Sequence, residues 1–234
     1  MKYRIIHETE YNYSLPVTIS QHIIHLEPRK SDRQKWLSHQ VEITPKPAYL
    51  VNREDIYGNK LTAFSIEDEH KLFKVVAKGE VIVENNVFPT TSPAWEEVRD
   101  LLKNPKKLKD IEAAMFLYQS PLVLFDGAIK RYALASFTPE RPIIDAIMDL
   151  NHRIFTDFTY APGTTRIGTL PAETLRDRKG VCQDFAHFMI ACLRSIGLSC
   201  GYVSGYLHTR KKNDEPKLIG ADATHCLLYT SDAA

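Results

Sequence analysis

Little in the 234 residues suggests an electrostatic or membrane function. Lys and Arg number 30 against 29 Asp and Glu, a net charge of +1. Neither sign is in surplus to attract nucleic acid, an anionic membrane surface or strongly acidic partners. Lys103, Lys106, Lys107 and Lys109 cluster around Pro105 without interleaved aromatics, so they read as a solvated loop rather than a nucleic-acid patch. No apolar run approaches the roughly 20 residues of a membrane-spanning helix. Met1-Lys2-Tyr3-Arg4 leads into Ile5-Ile6 and then polar residues, without the apolar core of a signal peptide. The expected address is therefore cytoplasmic. Cysteine is scarce: four, at 182, 192, 200 and 226. They lack the paired C-x-x-C spacing of a zinc site and are too few for a disulfide scaffold. No calcium loop is present either, so neither metal nor cofactor is expected. Asn12-Tyr13-Ser14 fits the glycosylation pattern, which has no meaning without secretion.

What is present is an ordinary globular composition, 44% hydrophobic and 25% charged, long enough for one large domain or two modest ones. The expected class is α+β in three parts. Residues 1–86 read as short strands. Tyr3, Ile5, Thr9, Tyr11 and Tyr13 alternate with Lys2, Arg4, Glu8, Glu10 and Asn12, the period of a half-buried strand. Val17, Ile19 and Ile23 continue the pattern, as do Leu37, Val41 and Ile43, and Phe73 to Val83 form the longest run. Turn-forming clusters such as Asp55-Ile56-Tyr57-Gly58-Asn59 separate them, so an antiparallel sandwich or barrel is expected. His22 and His25 are read as ordinary side chains, not ligands.

Residues 87–137 read as a helical link. Ser92-Pro93-Ala94-Trp95 signals a helix start, and 108–118 and 127–135 are expected helices. Residues 138–234 form the third part. Thr138-Pro139 is expected to open a helix with Ile143, Ile147, Leu150 and Ile154 on one stripe. Thr169-Leu170-Pro171 then starts a short helix, 172–178.

That helix delivers the chain into Lys179-Gly180-Val181-Cys182-Gln183-Asp184-Phe185-Ala186-His187. Cys182, Phe185, Ala186, Met189, Ile190, Leu193 and Ile196 recur at helical spacing and stop at Gly197. Cys182 is thereby predicted in the first turn of a buried helix, where free N–H groups and the macrodipole favour a thiolate. Gln183 and Asp184 share that turn, and both are candidates for orienting substrate or supporting the nucleophile. His187 lies five residues on, off the Cys182 face by about 140°, and reads as structural. Cys192 and Cys200 read as core thiols, Tyr202 and Tyr206 as packing residues. A strand-like run, 198–207, a polar loop and a second expected strand, 218–225, bring His225 into play.

Gly-Val-Cys-Gln-Asp-Phe-Ala-His, Tyr-Val-Ser-Gly-Tyr and Gly-Ala-Asp-Ala-Thr-His, in this order, resemble the core of the bacterial transglutaminase-like superfamily. The strand-rich first part, with its Asp55-x-x-Gly58-Asn59 turn, more loosely resembles the N-terminal domain that precedes that core. The resemblance implies a papain-like core in which Cys182 is the nucleophile and His225 the base. It implies acyl transfer on the carboxamide or amide groups of a protein or peptide substrate, with an amine or water as acceptor. A papain-like protease using the same pair, and a non-catalytic peptide-binding module, stand as the alternatives. After His225 the family pattern lapses, and the triad aspartate is not carried onto Asp232, only seven residues on. Residues 226–234 are read as a truncated frame or foreign sequence, with the parent an enzyme and this chain feebly active or inactive.

Overall fold

The computed structural model describes residues 1–29, 31, 33–84 and 89–206, together with the backbone of 225–229. It divides into two compact units, Met1–Phe88 and Pro89–Ala234.

The first unit is built of strands: β1 (Lys2–Val17), β2 (Ser20–Ile24), β3 (Gln34–Thr44), β4 (Tyr49–Glu54), β5 (Lys60–Ile66) and β6 (His70–Val83). They form two antiparallel three-stranded sheets, ordered β1-β6-β3 and β2-β5-β4. Alternation in β1 and β6 sets the register: Tyr3 opposes Val81, Thr9 opposes Val75 and Tyr11 opposes Phe73. The inward residues of both sheets meet in one core of Phe64, Ile66, Phe73 and Val75, the sandwich arrangement expected. In β2 the inward face carries His22 and Ile24 rather than Ile23. Ile19 and Ile23 are about two-thirds exposed, while the His22 ring stacks on Phe73 at 4.1 Å and on Phe64 at 5.1 Å. His22 lies directly opposite Phe64 in the β2–β5 register and packs its ring on both phenylalanines, so an imidazole takes an inward place that the local apolar pattern does not mark. Burial there, with a smaller contribution from His70, lowers the His22 pKa.

The Asp55 turn joins β4 to β5. The Asp55 carboxylate accepts from the N–H groups of Tyr57 and Asn59 and from the Asn59 amide, at 2.8–2.9 Å. Gly58 supplies the left-handed φ of 77° that a side chain would resist.

The second unit contains α1 (Trp95–Lys103), α2 (Leu108–Ala114), a 3-10 turn at Met115–Leu117, α3 (Gly127–Leu134), α4 (Ile143–Asp157), β7 (Thr159–Tyr160), α5 (Pro171–Asp177), β8 (Lys179–Gly180), α6 (Cys182–Ser195), β9 (Gly201–Gly205) and β10 (His225–Tyr229). Trp95, Val98 and Leu102 of α1 share a core with Ile129, Leu150, Ile154, Phe188 and Leu193, so the helices read as a link are part of this unit's interior. Helix α6 packs against α3, α4 and α5 and against β9 and β10. That is why it is buried almost all round from Ala186 to Leu193, beyond the single stripe its spacing suggested.

Two helix starts differ from the sequence expectation. Helix α1 begins at Trp95 without a side-chain cap, because the Ser92 hydroxyl accepts from the Ile144 N–H of α4 instead, at 3.2 Å. The Pro93 carbonyl accepts from Ile143, and the Arg141 carbonyl from Trp95. The two helix entrances therefore satisfy each other's unpaired N–H groups. Helix α4 starts after Pro142 rather than at Thr138, since a proline disfavours helix in the residue before it, and Glu140 has a left-handed φ of 61°.

Candidate active site

Cys182 is placed by a short parallel ladder. Thr159 and Tyr160 of β7 pair with Lys179 and Gly180 of β8; the Thr159 N–H donates to the Arg178 carbonyl and the Ala161 N–H to the Gly180 carbonyl, both at 2.9 Å. Arg178, with φ of 52°, ends α5. Its guanidinium lies over Phe158 at 4.9 Å and Tyr132 at 5.2 Å, and it approaches Asp157, which also accepts from the Tyr132 hydroxyl at 2.8 Å. The chain then turns through extended Val181 into α6, with Cys182 as its first helical residue.

The thiols divide sharply. Cys182 is half-buried, whereas Cys192 and Cys200 are fully enclosed. Burial pushes the Cys200 thiol up to about 12 and raises that of Cys192 further. Both are core thiols, leaving Cys182 as the accessible one among the cysteines whose side chains are described. The first N–H groups of α6 have no intrahelical acceptor, so the thiol sits where an anion is favoured.

Asp184 is 3% exposed. One carboxylate oxygen, Oδ2, accepts from the Val181 N–H at 2.8 Å and from the Thr165 hydroxyl at 2.7 Å. Gly180 makes this possible: a Cβ there would stand 2.8 Å from Asp184 Oδ2 and 2.9 Å from its Cβ. Gln183 is half-buried beside Cys182. His187 faces another part of the unit, its ring 5.2 Å from that of Tyr202 beside a cavity of about 390 Å³ lined also by Leu122, Val123, Ile190 and Arg194. Burial lowers its pKa, opposed by the charge of Asp184.

The backbone of His225 opens β10 and pairs with Gly205 of β9, and the ladder runs on to Tyr229 opposite Gly201. The strand thus runs on past His225, where it was expected to end, while residues 218–224 of the expected strand lie outside the described residues. The His225 side chain, residues 207–224 and Asp232 lie outside the described residues. Residues 226–229, read from sequence as lacking the family pattern, complete β10. Thr165 escaped sequence reasoning, because nothing local marks a threonine that will meet a carboxylate 19 residues away.

Residues 3–82 match the bacterial transglutaminase-like N-terminal region, and residues 131–229 match the transglutaminase-like superfamily core. An uncharacterized protein of Mycobacterium tuberculosis (strain ATCC 25618 / H37Rv) is 41% identical over 231 residues, covering 96% of this chain and 71% of that protein. The chain belongs to the transglutaminase-like superfamily. An uncharacterized protein of Mycobacterium leprae (strain TN) is 27% identical over 89% of this transglutaminase-like chain and 72% of its own length. The fold matches the crystal structure of a "Putative Cysteine Protease from Cytophaga hutchinsonii" with a TM-score of 0.71, at 18% identity, over 97% of this chain and 72% of that one. The matched core range takes in Cys182, Asp184 and His225 and continues through β10. Membership supports an enzyme that works through a cysteine. No helix among the described residues is long and apolar enough to cross a membrane.

Proposed function

We propose that this transglutaminase-like protein catalyses acyl transfer on the carboxamide or amide groups of a protein or peptide, through a thioester on Cys182. The observation that carries the reading is the position of that thiol: half-buried at the first residue of α6, with the other described thiols sealed in the core. The Cys182 sulfur attacks the carbonyl carbon, and charge develops on the carbonyl oxygen. The Cys182 N–H, unpaired within the helix, is the donor for that oxyanion. His225 holds the thiolate as an ion pair and then gives its proton to the departing ammonia or amine. The acyl group passes to an amine, forming an isopeptide bond, or to water, giving hydrolysis. Gln183, beside the nucleophile, orients the substrate.

Peptide-bond hydrolysis is the second reading, favoured by the name of the structural neighbour. The deciding experiment incubates the protein with a glutamine-containing peptide, with and without a primary amine. Ammonia release, an acyl adduct on Cys182 seen by mass spectrometry, and loss of both in Cys182→Ala are expected. Chain cleavage without ammonia would favour the protease. Partner binding that survives Cys182→Ala, with no adduct formed, would replace both readings by a binding module.

A further inference from the structure

We propose that Asp184 is a positioning residue for this site, clamping the entrance of α6 so that the Cys182 N–H is held toward the carbonyl oxygen of the substrate. The inference rests on the acyl-transfer reading above. Val181, which precedes the nucleophile, has no side-chain acceptor and cannot cap the helix. The cap is supplied instead from inside the first turn, where the buried carboxylate reaches back to the Val181 N–H at 2.8 Å, one half of a capping box. That bond fixes the Gly180–Val181 peptide, the one ahead of the peptide that carries the Cys182 N–H. It also engages the Val181 N–H and leaves the Cys182 N–H, one residue on, for another acceptor.

The same oxygen takes the Thr165 hydroxyl at 2.7 Å. Loop 161–168 is thereby tied to the helix entrance, with Ile167 94% exposed upon it. Gly180 closes the clamp, since only a glycine leaves room for the Asp184 side chain against β8. The carboxylate is thus held by a backbone donor, a side-chain donor and a steric wall, all within the segment that aims the nucleophile. A misaligned donor is costly in this chemistry, and this arrangement prevents the misalignment.

The test compares two reagents on the full chain, with the modified residue located by peptide mass. With p-nitrophenyl acetate, the Cys182 thiolate adds to the ester carbonyl and expels p-nitrophenolate, passing through an oxyanion. With iodoacetamide, the same thiolate displaces iodide at a saturated carbon, and no oxyanion forms. Asp184→Ala and Thr165→Val are expected to slow acetylation of Cys182 by about 10²-fold while alkylation changes by no more than about threefold, because only the first reaction needs the positioned donor. Asp184→Asn, which retains an acceptor oxygen, is expected to recover most of the acetylation rate. Should Asp184→Ala fail to fold, Thr165→Val decides, as it removes only a hydroxyl contact. Parallel slowing of both reagents, or no change in either, overturns the positioning role while the acyl-transfer reading stands. If wild-type Cys182 reacts with both reagents no faster than a cysteine of the unfolded chain, the acyl-transfer reading falls and the inference falls with it.

Discussion

Gly180→Ala is the sharpest structural perturbation of this site. The added methyl would lie 2.8 Å from Asp184 Oδ2, 2.9 Å from its Cβ and 3.2 Å from its Cγ. The near end of a short, buried side chain cannot swing aside as a long one could, so Asp184 must leave its position. Two hydrogen bonds then go, from Val181 and Thr165. Bonds to a charged group contribute about 1.5–3 kcal/mol each, so a loss of about 3 kcal/mol is a conservative expectation. For a unit of this size that corresponds to a fall in Tm of roughly 6–12 °C. Every described helix belongs to the second unit, so helical ellipticity on heating reports this unit. A double-mutant cycle with Asp184→Ala supplies the refutation. If the clash with Asp184 is the cause, Gly180→Ala should cost about 2 kcal/mol less once that side chain is gone. Equal costs in both backgrounds, or a Gly180→Ala protein that melts with the wild type, would refute the reasoning.

Three further outcomes are expected. Phe188 is fully buried, 5.0 Å from the Phe158 ring and 5.2 Å from that of Tyr132. Phe188→Ala should therefore cost about 3–5 kcal/mol, measured by denaturant unfolding of the helical signal. Native-state alkylation followed by peptide mapping should modify Cys182 and spare Cys192 and Cys200 until the protein is unfolded, since burial keeps both thiols protonated. The His22 pKa is lowered in the fold, so between that value and the unfolded value of about 6.5 the unfolded chain binds more protons. Stability of the first unit is then greatest above about pH 6.5 and declines as pH falls toward the native His22 pKa. In His22→Phe this part of the pH dependence should flatten in urea titrations followed by the strand signal.

Much of this architecture is legible where the determinant is local. Helix α6 is marked by its apolar spacing and by Gly197, whose φ is 86°, and the Asp55 turn by residues that bond within it. The strands of the first unit follow from alternation. What the sequence hides is settled across distance. Ser92 looks like a cap for the helix that follows it, yet serves a helix start 52 residues away, because both entrances needed acceptors. Ile23 looks inward by pattern, but His22 takes the inward place, packing on Phe64 and Phe73. At the site, Cys182 stands out by its helix-start position and motif, and Asp184 by its place in the first turn. The role of Gly180, which is steric, and that of Thr165, which is a tertiary contact, emerge only in three dimensions.

The central claim is that Cys182 is a nucleophile held as a thiolate by His225. Its most direct test is the rate of Cys182 alkylation by iodoacetamide from pH 4 to 9 in the wild type and in His225→Ala. The account predicts fast labelling that persists well below the free-thiol value of about 8.5 in the wild type and weakens markedly in the variant. Labelling that simply titrates near that value in both proteins would contradict it.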